Sequence, residues 1–171
     1  MKFTITEQSS PEELVEFQQA AMRAGRQDLL HLAYAVRMIS DANRLKSPIS
    51  KADRFYLAHD AFQKAVAEAK SIQASTGESA PLENASRAHL SFESQYEELT
   101  IQCLEVYHAE RLSVIEKTSS GKRQLKSSQV TLKELSKLDG RYEFGMLKKT
   151  YEKVLNYWKD QELLLSSYDE S

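Results

Sequence analysis

Large apolar side chains recur every three or four residues along most of this chain, and helix breakers fall between the recurrences. Such a step places about one side chain per turn on a single face of an α-helix, whereas a strand needs a step of two. The sequence holds only five Gly and three Pro. Pro11, Gly25, Pro48, Gly77, Pro81, Gly121 and Gly140 separate periodic stretches, and Gly145 alone lies within one. So few breakers disfavour collagen-like, low-complexity and turn-rich all-β chains. The spacing predicts an all-α fold, a bundle of five or six helices with one long helix over about 82–117 and a short extended N-terminus.

Each helix can be placed by its ends. Ser10-Pro11-Glu12-Glu13 has the form of an N-cap, a first-turn proline and a capping-box glutamate. Leu14, Phe17, Ala21 and Ala24 follow as a stripe, and Gly25 supplies a stop. A second helix is expected from about Asp28 to Leu45 on Leu29, Leu32, Val36 and Ile39, ending at Ser47-Pro48. The third starts near Ser50, with Asp53 as its box partner. It carries Phe55, Ala58, Phe62, Ala65, Ala69 and Ile72, whose alternating bulk lets a neighbouring helix approach at each Ala.

The fourth, about 82–117, would reach roughly 50 Å. Its seam is Phe92, Tyr96, Leu99, Cys103 and Val106; beyond it Ala109, Leu112 and Ile115 take over on a rotated face, as in a bend or a change of partner. A weaker fifth segment spans about Leu125 to Leu138. A sixth, about Tyr142 to Ser166, carries Phe144, Leu147, Tyr151, Val154 and Trp158. The mean step of 3.5 implies coiled-coil-like crossing near 20°. Only Lys2-Phe3-Thr4-Ile5-Thr6 alternates with a period of two, too short to make a sheet alone.

A chain of 171 residues is one domain's worth. A single helical domain is expected, with 1–9 and 167–171 as tails and 75–81 and 118–124 as loops. One cysteine, Cys103, leaves no intramolecular disulfide and no cysteine-based zinc site. The N-terminal residues lack the apolar core of a signal peptide, and no apolar run is long enough to span a membrane. The expectation is a cytoplasmic protein with no membrane partner.

Net charge is −2, but it is unevenly spread. Residues 1–116 hold twelve Lys and Arg against seventeen acids, 117–160 hold eleven against five, and 161–171 hold three acids and no base. The basic stretch includes Lys122, Arg123, Lys126, Lys133, Lys137, Arg141, Lys148 and Lys149, with aromatic residues interleaved. That pattern suits phosphate contact with stacking on exposed bases. It equally suits a solvated helix face that docks on an acidic protein surface.

Catalytic motifs are sparse. Glu105-x-x-His108 is the step by which four-helix carboxylate proteins present metal ligands, but no second copy occurs, and Val106 on the seam would turn the pair to solvent. His31, His59 and His89 stand apart in sequence and read as partly buried histidines held by backbone carbonyls. Asp53 and Asp60 are not spaced to share a face with His59. Cys103 on a seam is a small hydrophobe rather than a nucleophile. Ser120-Gly121-Lys122 lacks the first Gly of a P-loop, and no Gly-x-Ser-x-Gly elbow exists. Glu12-Glu13 and Glu97-Glu98 are explained by capping and solvation. Arg23, Arg26 and Arg37, near the first hairpin, are candidates for an anion or acidic-motif pocket, but a place on the polar side of their amphipathic helices is the favoured reading.

The expected function is therefore non-catalytic: binding of a protein partner through helix faces, with Phe92, Tyr96, Leu99, Leu112 and Ile115 as the partner surface and a homodimer as one form. The alternatives are nucleic-acid binding through 117–153 and a metal-dependent enzyme in a helical bundle. No metal or cofactor is expected.

Overall fold

The computed structural model describes residues 5–143 and 145–169, and over these the chain is all-α, with no strand. The helices are α1 (Pro11–Arg23), α2 (Gln27–Arg44), α3 (Pro48–Thr76), α4 (Ala80–Glu116), α5 (Gly121–Ser136) and α6 (Gly145–Asp169). None of them is long and apolar enough to cross a membrane. Lys2, Phe3, Thr4 and Phe144 fall outside the described residues. Of the expected extended N-terminus, Ile5 is buried and Thr6–Ser9 forms a turn closed by the Ser9 N–H on the Thr6 carbonyl at 2.9 Å.

The first helical hairpin is dictated locally. Ser10 Oγ accepts the Glu13 N–H at 3.1 Å, and the Glu13 carboxylate accepts the Ser10 N–H at 3.4 Å, a closed capping box behind Pro11. At the other end Gly25 takes φ +66°. This conformation lets the Arg26 N–H reach the Ala21 carbonyl and the Gly25 N–H reach Met22. These are the paired bonds of a Schellman stop, and a side chain at Gly25 would be strained.

Several helix starts differ from expectation by two to four residues. α3 begins at Pro48, where Ser47 Oγ accepts the Ser50 N–H at 3.4 Å; Ser50 lies inside the first turn, and Asp53 pairs with Arg54. Pro48 thus opens a helix rather than only ending one, as its missing N–H permits at a first position. α5 starts at Gly121, four residues before the expected Leu125, and α6 starts at Gly145, three after Tyr142.

The described residues group into two compact units, one from 5–46 and 53–96, the other from 47–52, 97–143 and 145–169. In the first, α1 packs on α2 through Phe17 and Ala21. α2 is buried on a wide arc (Leu29, Leu32, Ala33, Ala35, Val36, Met38, Ala42), broader than its Leu-Val stripe implies. α3 buries Phe55, Ala58, Phe62, Ala65 and Ala69 as its spacing predicts. Phe92 of α4 seats against Phe55 and Phe62, with ring centroids at 6.5 and 5.3 Å.

In the second unit α5 packs on α6, and α6 buries Leu147, Tyr151, Val154 and Trp158. The weak apolar stripe of α5 has a physical reason: its contact with α4 is largely polar. Arg111 donates to Thr131 Oγ1 at 2.8 Å and Ser127 Oγ at 2.7 Å, and Tyr107 hydroxyl donates to the Glu134 carboxylate. Burial and that carboxylate both push the Tyr107 phenol up. Tyr151 hydroxyl lies 2.8 Å from the Leu135 carbonyl and also meets Asp139, which ties α6 to the end of α5.

The expected seam of α4 holds at Phe92, Tyr96 and Cys103, is half-buried at Leu99, and fails at Val106. Buried residues are Ala85, Phe92, Tyr96, Thr100, Cys103, Leu104 and Tyr107, and Val106 is 49% exposed. Ala85, Tyr96 and Tyr107 step by eleven, as do Phe92 and Cys103. A strict 3.5-residue register drifts against the 3.6 residues per turn of an α-helix, so one extrapolated from Phe92 leaves the buried positions by Val106.

Candidate functional site

Three side chains that sequence separation keeps apart converge in the first unit. His89 and Glu93 are four residues apart on α4, hence one above the other on one face. His59 comes from α3. Its Nδ1 meets Glu93 Oε1, and His89 Nε2 lies 3.5 Å from that same oxygen. The imidazole rings of His59 and His89 are 6.2 Å apart. Tyr96, two turns beyond His89 and one beyond Phe92, stacks flat on His59 with centroids at 4.5 Å and planes within 4°. That stack fixes the plane of the His59 ring.

The side chains are 20% (His59), 24% (His89) and 31% (Glu93) exposed, so the cluster opens to solvent at one side. His89 Nε2 is nevertheless buried and has no hydrogen-bond partner. Among the described residues, His59, His89 and Glu93 are the one group of three His, Cys, Asp or Glu whose ligand atoms lie within 4.8 Å of one another. His59 and His89 therefore meet a carboxylate, where the sequence suggested backbone carbonyls. The His89-x-x-x-Glu93 step was visible in the sequence; the partner 34 residues away was not.

A second cluster lies in the other unit. His108 of α4 accepts the indole N–H of Trp158 at Nδ1, 3.0 Å away, and its ring stands edge-on to Tyr157 and Trp158 at 4.9 and 5.8 Å. The expected outward orientation of Glu105-x-x-His108 thus holds for exposed Glu105 but not for half-buried His108, because Val106 is off the buried face. Both residues line a groove of ≈ 470 Å³ with Thr150, Lys153, Tyr157 and Asp160.

Burial, and then the nearby Lys153 ammonium, hold the His108 imidazolium below its ordinary pKa of 6.5. A depressed folded pKa means that the unfolded chain takes up the proton first. The associated stability is complete above about pH 6.5 and is lost as pH falls through the folded value. His108→Gln keeps an acceptor for Trp158 but does not titrate. Between pH 7.5 and 5.5 the urea midpoint of the wild type should therefore fall more than that of the variant; equal slopes would remove this role for His108.

The other sequence candidates are dispersed. Phe92 and Tyr96 are buried core residues of the first unit, so they offer no partner surface; Leu99, Leu112 and Ile115 are half-buried. Cys103 is buried, and burial raises its thiol pKa, with Lys51 opposing weakly. Arg26 is committed to Asp28, and Arg37 lines a groove of ≈ 270 Å³ with Asp41 and Arg44 that includes neither Arg23 nor Arg26. Lys122, Arg123, Lys126, Lys133, Lys137, Lys148 and Lys149 are exposed, Arg141 is half-buried, and Lys148 reaches Glu152 at 3.8 Å.

Glu97, read as a solvated acid, has a structural task in the second unit. Its carboxylate accepts the Leu147 N–H at 3.1 Å and so caps α6, whose first residue Gly145 sits at φ +74°. A Cβ there would stand 3.3 Å from Glu97 Oε1. Comparison of the chain with protein-family models, with curated proteins and with solved structures finds no match.

Proposed function

We propose that this chain is a non-catalytic helical protein that binds a protein partner through a helix face. The observation that carries this reading is a second stripe on α6. Met146, Thr150, Lys153, Tyr157, Asp160 and Leu164 step by four and three along the helix, on a different face from buried Leu147, Tyr151, Val154 and Trp158. Met146, Tyr157 and Leu164 are all exposed. A helix that exposes Met146, Tyr157 and Leu164 on one heptad-spaced line, with Thr150, Lys153 and Asp160 set among them, suits an amphipathic partner helix gripped by the apolar side chains and kept in register by the charges. The adjoining groove beside Glu105 and His108 would receive its side chains.

The experiment compares tagged wild type with Met146→Glu/Leu164→Glu in affinity capture from native lysate. Both substitutions are at exposed positions, so helicity by far-ultraviolet dichroism should be unchanged while specific partners are lost. Retention of the same partners by the variant would reject the α6 face. Sedimentation at micromolar concentration determines whether a second copy is that partner.

A second reading rests on α5. Lys122, Lys126, Lys133 and Lys137 recur at steps of four, seven and four, one exposed face opposite buried Ser128, Thr131 and Leu135. Such a cationic stripe suits phosphate contact. Mobility shift should then weaken steeply with salt and on replacing Lys122, Lys126 and Lys133 with Ala. Salt-insensitive or undetectable binding would dismiss it.

A further inference from the structure

We propose that His59, His89 and Glu93 form a binding site for one divalent transition-metal ion of the zinc class, bridging α3 to α4 within the first unit. The donor set is two imidazoles and one carboxylate. Hard cations such as calcium and magnesium favour all-oxygen shells, whereas imidazole suits zinc, cobalt, nickel and copper. A neutral pair of imidazoles with one carboxylate presents a single negative charge to the ion, and no thiolate takes part.

Geometry supports the same assignment. A tetrahedral ion with ligands about 2.0–2.2 Å away holds its donor atoms about 3.3 Å apart. Donor atoms within 4.8 Å of one another reach that spacing by small side-chain rotations. His89 and Glu93 share a helix face, which presents two ligands without loop ordering, and the Tyr96 stack holds the third ring in place. The buried, unpartnered His89 Nε2 is the clearest sign. In a purely structural cluster it would be a polar atom without a bond, although a carboxylate oxygen stands 3.5 Å away. A metal ion would satisfy it and the Glu93 carboxylate together. Three protein ligands with partial exposure also leave a fourth position for water or a ligand from solution.

The test uses the full chain freed of metal by chelation. Cobalt(II) titration should give visible d–d bands that saturate at one ion per chain, and zinc(II) should displace it. Competition against a chromophoric chelator should show His59→Gln, His89→Gln and Glu93→Gln each weakening zinc binding at least tenfold, since even outer-shell partners are worth about 10–100-fold. His31→Gln and His108→Gln should bind as wild type. Zinc-induced shifts of the His59 and His89 imidazole resonances in the unsubstituted protein supply a readout that does not depend on any variant folding. Absence of saturable one-to-one binding would overturn the site, as would binding unaffected by the three substitutions or resonance shifts confined to His31 and His108.

Discussion

Trp158→Ala should lower the unfolding free energy by about 3–5 kcal/mol, the range for truncating a buried aromatic side chain. Trp158 is completely buried, ends the packed stripe of α6, and sits edge-on to Tyr157 with ring centroids at 5.3 Å. Truncation removes its packing and also leaves His108 Nδ1 without the donor it holds at 3.0 Å. Domain stabilities are about 5–15 kcal/mol, so this one change uses up a large share of the margin. Trp158→Phe retains most of the ring volume and loses the N–H, so it should cost markedly less. Trp158 is the only tryptophan in the chain, so the measurement must follow urea unfolding by far-ultraviolet dichroism rather than by intrinsic tryptophan emission. A loss for Trp158→Ala no larger than that for Trp158→Phe would show that the hydrogen bond, not the packing, dominates this position.

What the sequence made legible was whatever a few neighbouring residues decide. The capping box at Ser10, the stop at Gly25 and the Phe-Ala stripe of α3 are short-range patterns, and each is present. The stripe ending at Trp158 belongs to the same class. The heptad register assigned to α4 holds at Phe92, Tyr96 and Cys103 and fails at Val106, because a period of 3.5 drifts against the 3.6 residues per turn of an α-helix; with Val106 placed inside, His108 was turned outward. Long-range polar pairs were out of reach for a different reason. Glu97 reaches Leu147 across fifty residues, and Arg111 reaches Thr131 across twenty; neither has a periodic signature. The His59–Glu93 contact is of that kind, so the candidate site could be half seen at most, as His89-x-x-x-Glu93.

Arg26→Ala should destabilise the first unit by about 3–5 kcal/mol, the range for a buried ion pair broken by removal of one partner. Asp28 is 1% exposed in the first turn of α2, and Arg26 grips it with two parallel bonds at 2.9 and 2.8 Å. The hydrogen bond to Asp28 is the main reason that the Arg26 guanidinium is held more tightly protonated than usual, with burial opposing it. Asp28 lies in the first turn of α2, so α2's N-terminal dipole is the main remaining compensation for its charge once Arg26 is gone. Because Arg26 is itself 23% exposed, water can partly replace it, which places the expected loss toward the lower end of that range. The two partners are unequal for the same reason. Asp28→Asn frees an arginine that can turn to solvent, whereas Arg26→Ala strands a carboxylate that cannot. Arg26→Lys should rescue only in part, since an ammonium cannot form the paired bonds. Arg26→Ala/Asp28→Ala should recover much of the loss, giving a favourable coupling in a double-mutant cycle measured by urea unfolding. Equal costs for the two single substitutions, with simple additivity in the double variant, would mean that the pair sits on the surface of the hairpin and does not hold it.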